Sequence, residues 1–392
     1  MALLVGVLKE TMPGERRVAL TPRVAEGLSK SGARVLLERG AGETAGYPDA
    51  EYESRGVALD SREAILEQAT ILAYVRTFGA NPDAGHADLV RYRRGQILVG
   101  LAEPLTARTE TAALAERGVT LFALELVPRI TRAQSMDVLS SMASLAGYKA
   151  VLMAANVLTK MLPMMTTAAG TISPAKVLVL GAGVAGLQAI ATARRLGAVV
   201  SGYDIRPAAR EQVESLGAKF VILDQVEAAG AEDKGGYAKA MGEEFYRRQQ
   251  AALSAVIREM DIVVATAAVP GKKAPILVPA EAVEGMAPGS VIMDLAAERG
   301  GNCALTVPGE TITHGGVQIL GPMNVPSMVP YHASQLFATN VAAFLKPLIA
   351  KGELAIPWND EIVRETAVLK DGELVNTRVA ELATASAVGG TK

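Results

Sequence analysis

The sequence predicts an α/β protein of two Rossmann-like domains with parallel sheets, joined by two long interdomain helices, with a ligand cleft between the domains. Three observations carry that prediction. Short apolar runs alternate with helical patterns along most of the chain, which implies parallel strands covered on both faces. One such run, Lys176–Leu180, ends in the turn Gly181-Ala-Gly-Val-Ala-Gly186 and is followed by a helical pattern. The chain has 392 residues, half of them apolar, enough for two or three domains at about 150 residues each.

Composition removes several classes. With 39 basic against 41 acidic side chains and a formal charge of −2, no nucleic-acid partner is expected. Cys303 is the sole cysteine, which excludes a disulfide within the chain and a multi-cysteine metal site. His86, His314 and His332 are scattered, so no metal is expected. The most apolar stretch, Ala150–Thr159, is bounded by Lys149 and Lys160 and falls short of the roughly 20 residues that span a bilayer. Met1–Lys9 has no basic start and no small-residue cleavage site, and reads as a buried strand. A soluble, cytoplasmic chain with no direct membrane insertion is expected.

Taken in order, Leu3–Leu8 and Val35–Leu37 read as strands around a helix near Pro22–Ser31. Thr70–Val75, Gln96–Leu101 and Val119–Leu124 continue the strand series, separated by helical stretches such as Ser61–Gln68 and Thr106–Arg117. A second α/β unit begins at Pro174. After the Lys176–Leu180 strand and its turn, a helix runs to Leu196 with Gly197 as its cap. Val199–Tyr203, Lys219–Leu223, Asp261–Ala267, Ser290–Leu295 and Val317–Leu320 follow as strands, with a helix at Pro207–Leu216. An insertion after Leu223 breaks the rhythm and leads into the helix Glu243–Met260. It reads either as a solvated surface loop or as a functional lid, and Gly235-Gly236 before Tyr237 supplies backbone freedom.

Asp137–Lys160 reads as one long crossing helix and Tyr331–Lys351 as another, followed by Trp358 and a C-terminal return. The expected domains are residues 1–137 with 328–392, and residues 138–327 with a mobile loop at about 225–242. The tail from Ala380 has no closing apolar pattern and should fray.

The Gly181, Gly183 and Gly186 pattern sits between a strand and a helix, and Asp204 ends the next strand. That context reads as a dinucleotide fingerprint. Gly181 permits the turn, Gly183 lets the backbone approach a pyrophosphate, and Gly186 lets helix and strand pack closely. A carboxylate at Asp204 accepts hydrogen bonds from ribose hydroxyls and repels a 2′-phosphate, which favours NAD(H) over NADP(H). Arg206 and Arg210 lie nearby and are the residues that could bind such a phosphate.

Ahead of the long helix runs Pro128-Arg-Ile-Thr-Arg-Ala-Gln-Ser-Met-Asp137, with Ser140-Ser141 beyond. Asp137 or Ser135 could cap the helix. Capping leaves Arg129, Arg132 and Gln134 unexplained, and their chemistry suits pyrophosphate, amide or ribose groups of a ligand.

Five motifs together carry a family likeness: Arg-Ile-Thr-Arg-Ala-Gln-Ser-Met-Asp, Gly-Tyr-Lys-Ala-Val, Gly-Ala-Gly-Val-Ala-Gly-Leu-Gln, Gly-Gly-Tyr-Ala-Lys and Met-Asp-Leu-Ala-Ala-Glu-Arg-Gly-Gly-Asn-Cys. The chain resembles the NAD(H)-binding domain I, or alpha-1 subunit, of proton-translocating nicotinamide nucleotide transhydrogenase. The resemblance implies that Arg129, Gln134 and Asp137, with Ser140 beside them, position the nicotinamide. It places Gly181, Gly183, Val184 and Gly186 at the pyrophosphate, and Asp204, Ile205 and Arg206 at the adenosine. Thr266, Ala267 and Ala268 would line the nicotinamide side, and Gly236 and Tyr237 would belong to a mobile closing loop. It further implies a homodimer, partner subunits carrying an NADP(H)-binding domain III and a membrane domain II, and a peripheral place on the inner face of the cell membrane. The reaction implied is hydride transfer from NADH to NADP⁺ coupled to proton translocation.

Alanine dehydrogenase is the related alternative. A 2-oxo acid substrate needs a proton matched to the hydride. Arg17 fits the start shared with that family, but its Lys position reads Arg76, and its His segment, Gln96–Pro104, contains no histidine. His86 reads as a surface residue in a polar loop. A non-catalytic NAD(H)-sensing module is the other alternative, against which the intact nicotinamide-side run speaks.

Overall fold

The computed structural model describes residues 3–223, 242–268 and 273–382. The chain divides into two compact units, Met1–Met142 with Ser327–Lys392, and Ala143–Pro326.

In the first unit, strands β1 (Leu4–Val7), β2 (Arg34–Glu38), β3 (Ala58–Asp60), β4 (Ile71–Arg76), β5 (Ile97–Leu101) and β6 (Thr120–Ala123) are ordered 3-2-1-4-5-6. All neighbouring pairs among them are parallel. In the second unit, β7 (Met165–Thr167) and β8 (Gly170–Ile172) form an exposed hairpin. The strands β9 (Lys176–Leu180), β10 (Val199–Tyr203), β11 (Lys219–Phe220), β12 (Ile262–Ala265), β13 (Val291–Asp294), β14 (Thr311–His314) and β15 (Val317–Leu320) are ordered 11-10-9-12-13-15-14. Strand order reverses between β1 and β4 in one sheet and between β9 and β12 in the other, which is where open α/β sheets take ligands.

The apolar runs are continuous because alternate residues feed two cores. Val177, Val179, Ile262 and Val264 join one cluster of the second unit, while Leu178, Leu180, Val263 and Ala265 join another on the opposite face. Ala150, Val151 and Ala154 of the helix Val138–Val157 complete the first of these clusters.

The structure corrects the sequence reading at several points. The sheets are mixed at their edges. On the first sheet β18 (Ala367–Lys370) pairs antiparallel with β6, and β19 (Glu373–Leu374) with β18, after a short antiparallel pair, β16 (Ile349–Ala350) and β17 (Glu353–Leu354). On the second sheet β14 runs antiparallel to β15. The turns that allow this are Asp371-Gly372, at φ +50° and +91°, and Gly315-Gly316, at +57° and +83°. Positive φ at both central residues is what the type I′ turn of a two-residue hairpin requires. His86 is exposed as expected, but on a helix, Pro82–Leu89, rather than in a loop.

The long helix Pro330–Leu345 lies wholly in the first unit and ends short of the expected Lys351, just before Pro347. The Val138–Val157 helix continues through Lys149. Among the described residues it is the one helix long and apolar enough, by length and composition, to cross a membrane, which the ten-residue apolar stretch did not reveal. Its inward face is spent on the second core, where Gly147 meets the fingerprint helix: a Cβ there would lie 2.0 Å from the Ala185 carbonyl oxygen. Gly147→Ala should therefore lower the denaturation midpoint. Overpacking of about 1–3 kcal/mol outweighs the roughly 1 kcal/mol of helix propensity that alanine adds.

Candidate functional site

In the second unit the fingerprint turn is built as the spacing requires. Gly181 has φ +94°, and its N–H donates to the Tyr203 carbonyl at 2.8 Å. A Cβ at Gly186 would lie 1.8 Å from the Gly181 carbonyl oxygen, so only glycine lets the helix Val184–Arg195 seat here. Gly183 precedes that helix, no side chain caps it, and the space where a Cβ would stand is open for at least 4 Å. Val184 is exposed at the first helical position. This is an uncapped helix N-terminus with an open approach, suited to phosphate.

Asp204 borders the turn. Its Oδ2 accepts the Ala182 N–H at 2.8 Å, and its Oδ1 accepts the Arg206 N–H at 2.8 Å. The Arg206 guanidinium closes on both oxygens, from Nε and Nη2, each at 2.9 Å. Ile205, between them, packs on the core. Across the switch point the Thr266 hydroxyl lies 2.9 Å from the Gly181 carbonyl and 3.2 Å from that of Leu180. Thr266 and Ala267 are half-buried, and Ala268 is exposed. Gly235, Gly236 and Tyr237, and most of the expected loop, lie outside the described residues.

In the first unit Thr131–Met136 of the polar run forms a 3-10 helix. Gln134 is exposed on it, Arg129 is exposed two residues before it, and Asp137 is half-buried at its end. Asp137 takes the capping role: its Oδ1 accepts the Ser140 N–H at 2.8 Å and its Oδ2 the Ser140 hydroxyl at 2.6 Å. Arg132 forms a two-point ion pair with Asp360, at 2.6 and 3.1 Å, and Asp360 in turn caps the helix Glu361–Thr366.

The switch point of the first sheet holds a cluster of which the sequence reading named Arg17 and Arg76 but not the two carboxylates that join them, Glu10 and Glu15. Glu15, with no exposed side-chain surface, receives Arg17 Nε at 2.8 Å and Nη2 at 2.6 Å, and Arg76 Nε at 3.1 Å. Ser327 Oγ lies 3.0 Å from the same carboxylate. Glu10 accepts the Val75 and Arg76 N–H groups at 2.7 and 3.2 Å. Burial would raise the Glu15 carboxyl, but the Arg17 hydrogen bonds and charge hold it at about 2. Burial, with the negative charge of Glu15 adding to it, pushes Glu10 up to about 8. No sequence pattern announces this pairing, since Glu15 and Arg76 are 61 residues apart.

Two family models, described as the alanine dehydrogenase/PNT N-terminal and C-terminal domains, match residues 6–146 and 150–377. The chain belongs to the alanine dehydrogenase/PNT family. An NAD(P) transhydrogenase alpha-subunit protein of Rhodospirillum rubrum is 46% identical to it over 95% of this chain and 97% of that protein. A solved transhydrogenase from Sinorhizobium meliloti is 44% identical, with a TM-score of 0.84, covering 95% of this chain and 100% of that one. A solved L-alanine dehydrogenase is 26% identical, with a TM-score of 0.80, covering 98% of this chain and 99% of that one.

In this member of the alanine dehydrogenase/PNT family, Arg17 and Arg76 both close on the chain's own Glu15. The neighbouring Glu10 gives a pH test. Its folded pKa of about 8 lies above the ordinary 4.5, so the folded chain holds the proton more tightly than the unfolded one. The stability it contributes is complete below pH 4.5 and is lost as pH rises through 8, at no more than about 1.4 kcal/mol per pH unit. Unfolding free energies measured across that range should fall for the wild type, and Glu10→Gln should flatten this part of the profile.

Proposed function

We propose that this chain is the NAD(H)-binding subunit of a proton-translocating NAD(P) transhydrogenase. The single observation that carries the reading is the second unit's switch point, where an open, uncapped helix N-terminus at Gly183 stands beside the Asp204 carboxylate. Those residues fit a dinucleotide: backbone N–H groups for the pyrophosphate and a carboxylate for ribose hydroxyls. The transhydrogenase relatives, at 44–46% identity over nearly the whole chain, support it.

On this reading the Gly181–Gly186 turn and Val184 hold the pyrophosphate, and Asp204, Ile205 and Arg206 hold the adenosine. Thr266, Ala267 and Ala268 follow on the nicotinamide side. Arg129, Gln134, Asp137 and Ser140 orient the carboxamide. When bound, NAD(H) supplies the hydride for NADP⁺ held on a partner subunit. Transfer from carbon to carbon exchanges no proton with the nucleotides, so the chain needs orienting groups rather than a general acid or base. A homodimer, an NADP(H)-binding domain III, a membrane domain II and a peripheral place on the cytoplasmic side of the membrane complete the proposal.

An alanine-type dehydrogenase is the second reading, favoured by the likeness to L-alanine dehydrogenase. The absence of histidine from Gln96–Pro104 and the occupation of Arg17 and Arg76 by Glu15 weigh against it. Oxidation of L-alanine with NAD⁺ by the purified chain would establish it instead.

Mixing the chain with an NADP(H)-binding domain III should give hydride transfer from NADH to an NADP⁺ analogue, and no transfer at saturating nucleotide refutes the main reading. In that assay Gln134→Asn should slow transfer about tenfold or more while the Kd for NADH stays within about twofold, since a small misplacement costs rate before affinity. Equal losses in both would leave Gln134 a binding residue only. By calorimetry, NADH should bind more tightly than NADPH, because the Asp204 carboxylate repels a 2′-phosphate.

A further inference from the structure

Within the Met293–Cys303 motif, Asp294 ends β13 with its side chain fully buried and meets four donors. The Ala296 N–H reaches Oδ1 at 3.0 Å, while the N–H groups of Asn302 and Cys303 and the Thr306 hydroxyl reach Oδ2 at 2.7, 2.9 and 2.7 Å. This holds Asn302, itself fully buried, in one place.

The Asn302 side chain then acts as a substitute strand. Its Oδ1 accepts the Ala267 N–H at 2.9 Å, and its Nδ2 donates to the carbonyls of Ala267 and Pro275, both at 2.8 Å. Its backbone carbonyl accepts from Leu277 and Val278. The β12–β13 register ends at Ala265 opposite Asp294. Beyond that point the Ala267 backbone needs new partners. One planar amide supplies both, and both of its N–H bonds are used.

The placement matters because of the order β10-β9-β12 across the sheet. A dinucleotide with its adenosine at Asp204, at the end of β10, and its pyrophosphate at the β9 turn extends toward the end of β12 with its other half. We infer that Asn302 is a positioning residue: by tying Ala267 and Pro275 to one amide anchored on Asp294, it fixes the Thr266–Ala268 strand end against the nicotinamide half of the dinucleotide. The inference rests on the NAD(H)-binding reading above and adds a residue to it.

The test compares two ligands on the full chain by calorimetry. NADH spans the whole site, and ADP occupies only the adenosine and pyrophosphate side. Asn302→Ala should raise the Kd for NADH about fivefold or more while the Kd for ADP stays within about twofold, the scale of losing one or two net hydrogen bonds. Asn302→Ser, which keeps one donor, should shift NADH in the same direction by less, and it serves if the alanine variant does not fold. Equal effects on both ligands, or none on either, overturn the inference. If neither variant folds, Asn302 supports the fold rather than the ligand, and the inference falls as well. A wild-type chain that does not bind NADH overturns the NAD(H) reading itself, whereas NADH binding with unchanged selectivity in the variants overturns only the role of Asn302.

Discussion

Any residue but glycine at position 186 would place its Cβ 1.8 Å from the Gly181 carbonyl oxygen. No rotamer relieves that contact, because both sides of it are fixed by the backbone. The distance sets how closely the Val184–Arg195 helix seats on β9, and therefore where its uncapped N-terminus stands relative to the strand ends. A phosphate site made of backbone N–H groups has no side chain to adjust its reach, so its position must come from packing of this kind.

Other contacts in the second unit hold that geometry from the outside. The Thr266 hydroxyl bridges to the Gly181 carbonyl across the point where strand order reverses. Next to Thr266, Ala267 is held by Asn302, and Asn302 by Asp294 at the end of the following strand. Three adjacent strands are thereby locked at their C-terminal ends through side chains after their ladders have ended. From the other side, Gly147 lets the Val138–Val157 helix lie against Ala185 in the first turn of the fingerprint helix. One face of a long apolar helix is thus put to use as core.

Much of this was legible in the sequence, for a physical reason. Strands buried on both faces read as unbroken apolar runs, so Lys176–Leu180 and Val199–Tyr203 are observed with the bounds expected of them. The fingerprint and Asp204 were legible because their spacing is local. Some of what escaped carries a signal that is not apolar. Thr311–His314 is a largely polar edge strand, betrayed only by the Gly315-Gly316 turn. Asn302 belongs to a recognised motif, yet its partner is the backbone of Ala267, 35 residues away, and a backbone partner leaves no mark in sequence. Glu10 and Glu15 gather their partners across more than 60 residues, again partly through backbone N–H groups. Asp137 shows the converse, since a carboxylate before a helix is a natural cap, and capping is what it does.

The two units share the strand order 3-2-1-4-5-6, and each places a carboxylate and an arginine two residues apart near its switch point. They differ in burial. The Glu15 and Arg17 side chains are 0% and 2% exposed, and Arg76 adds a second cation. Withdrawing a partner there would strand a buried charge, at a cost of about 3–5 kcal/mol. Asp204 and Arg206 are 6% and 18% exposed, beside the open space at Gly183. On the proposed reading, a ribose hydroxyl reaching Asp204 from that space competes with a guanidinium that is less deeply buried than Arg17. The same pairing is therefore enclosed at one switch point and stands beside open space at the other, which is the difference on which the proposed division into a self-satisfied unit and a nucleotide-receiving one rests.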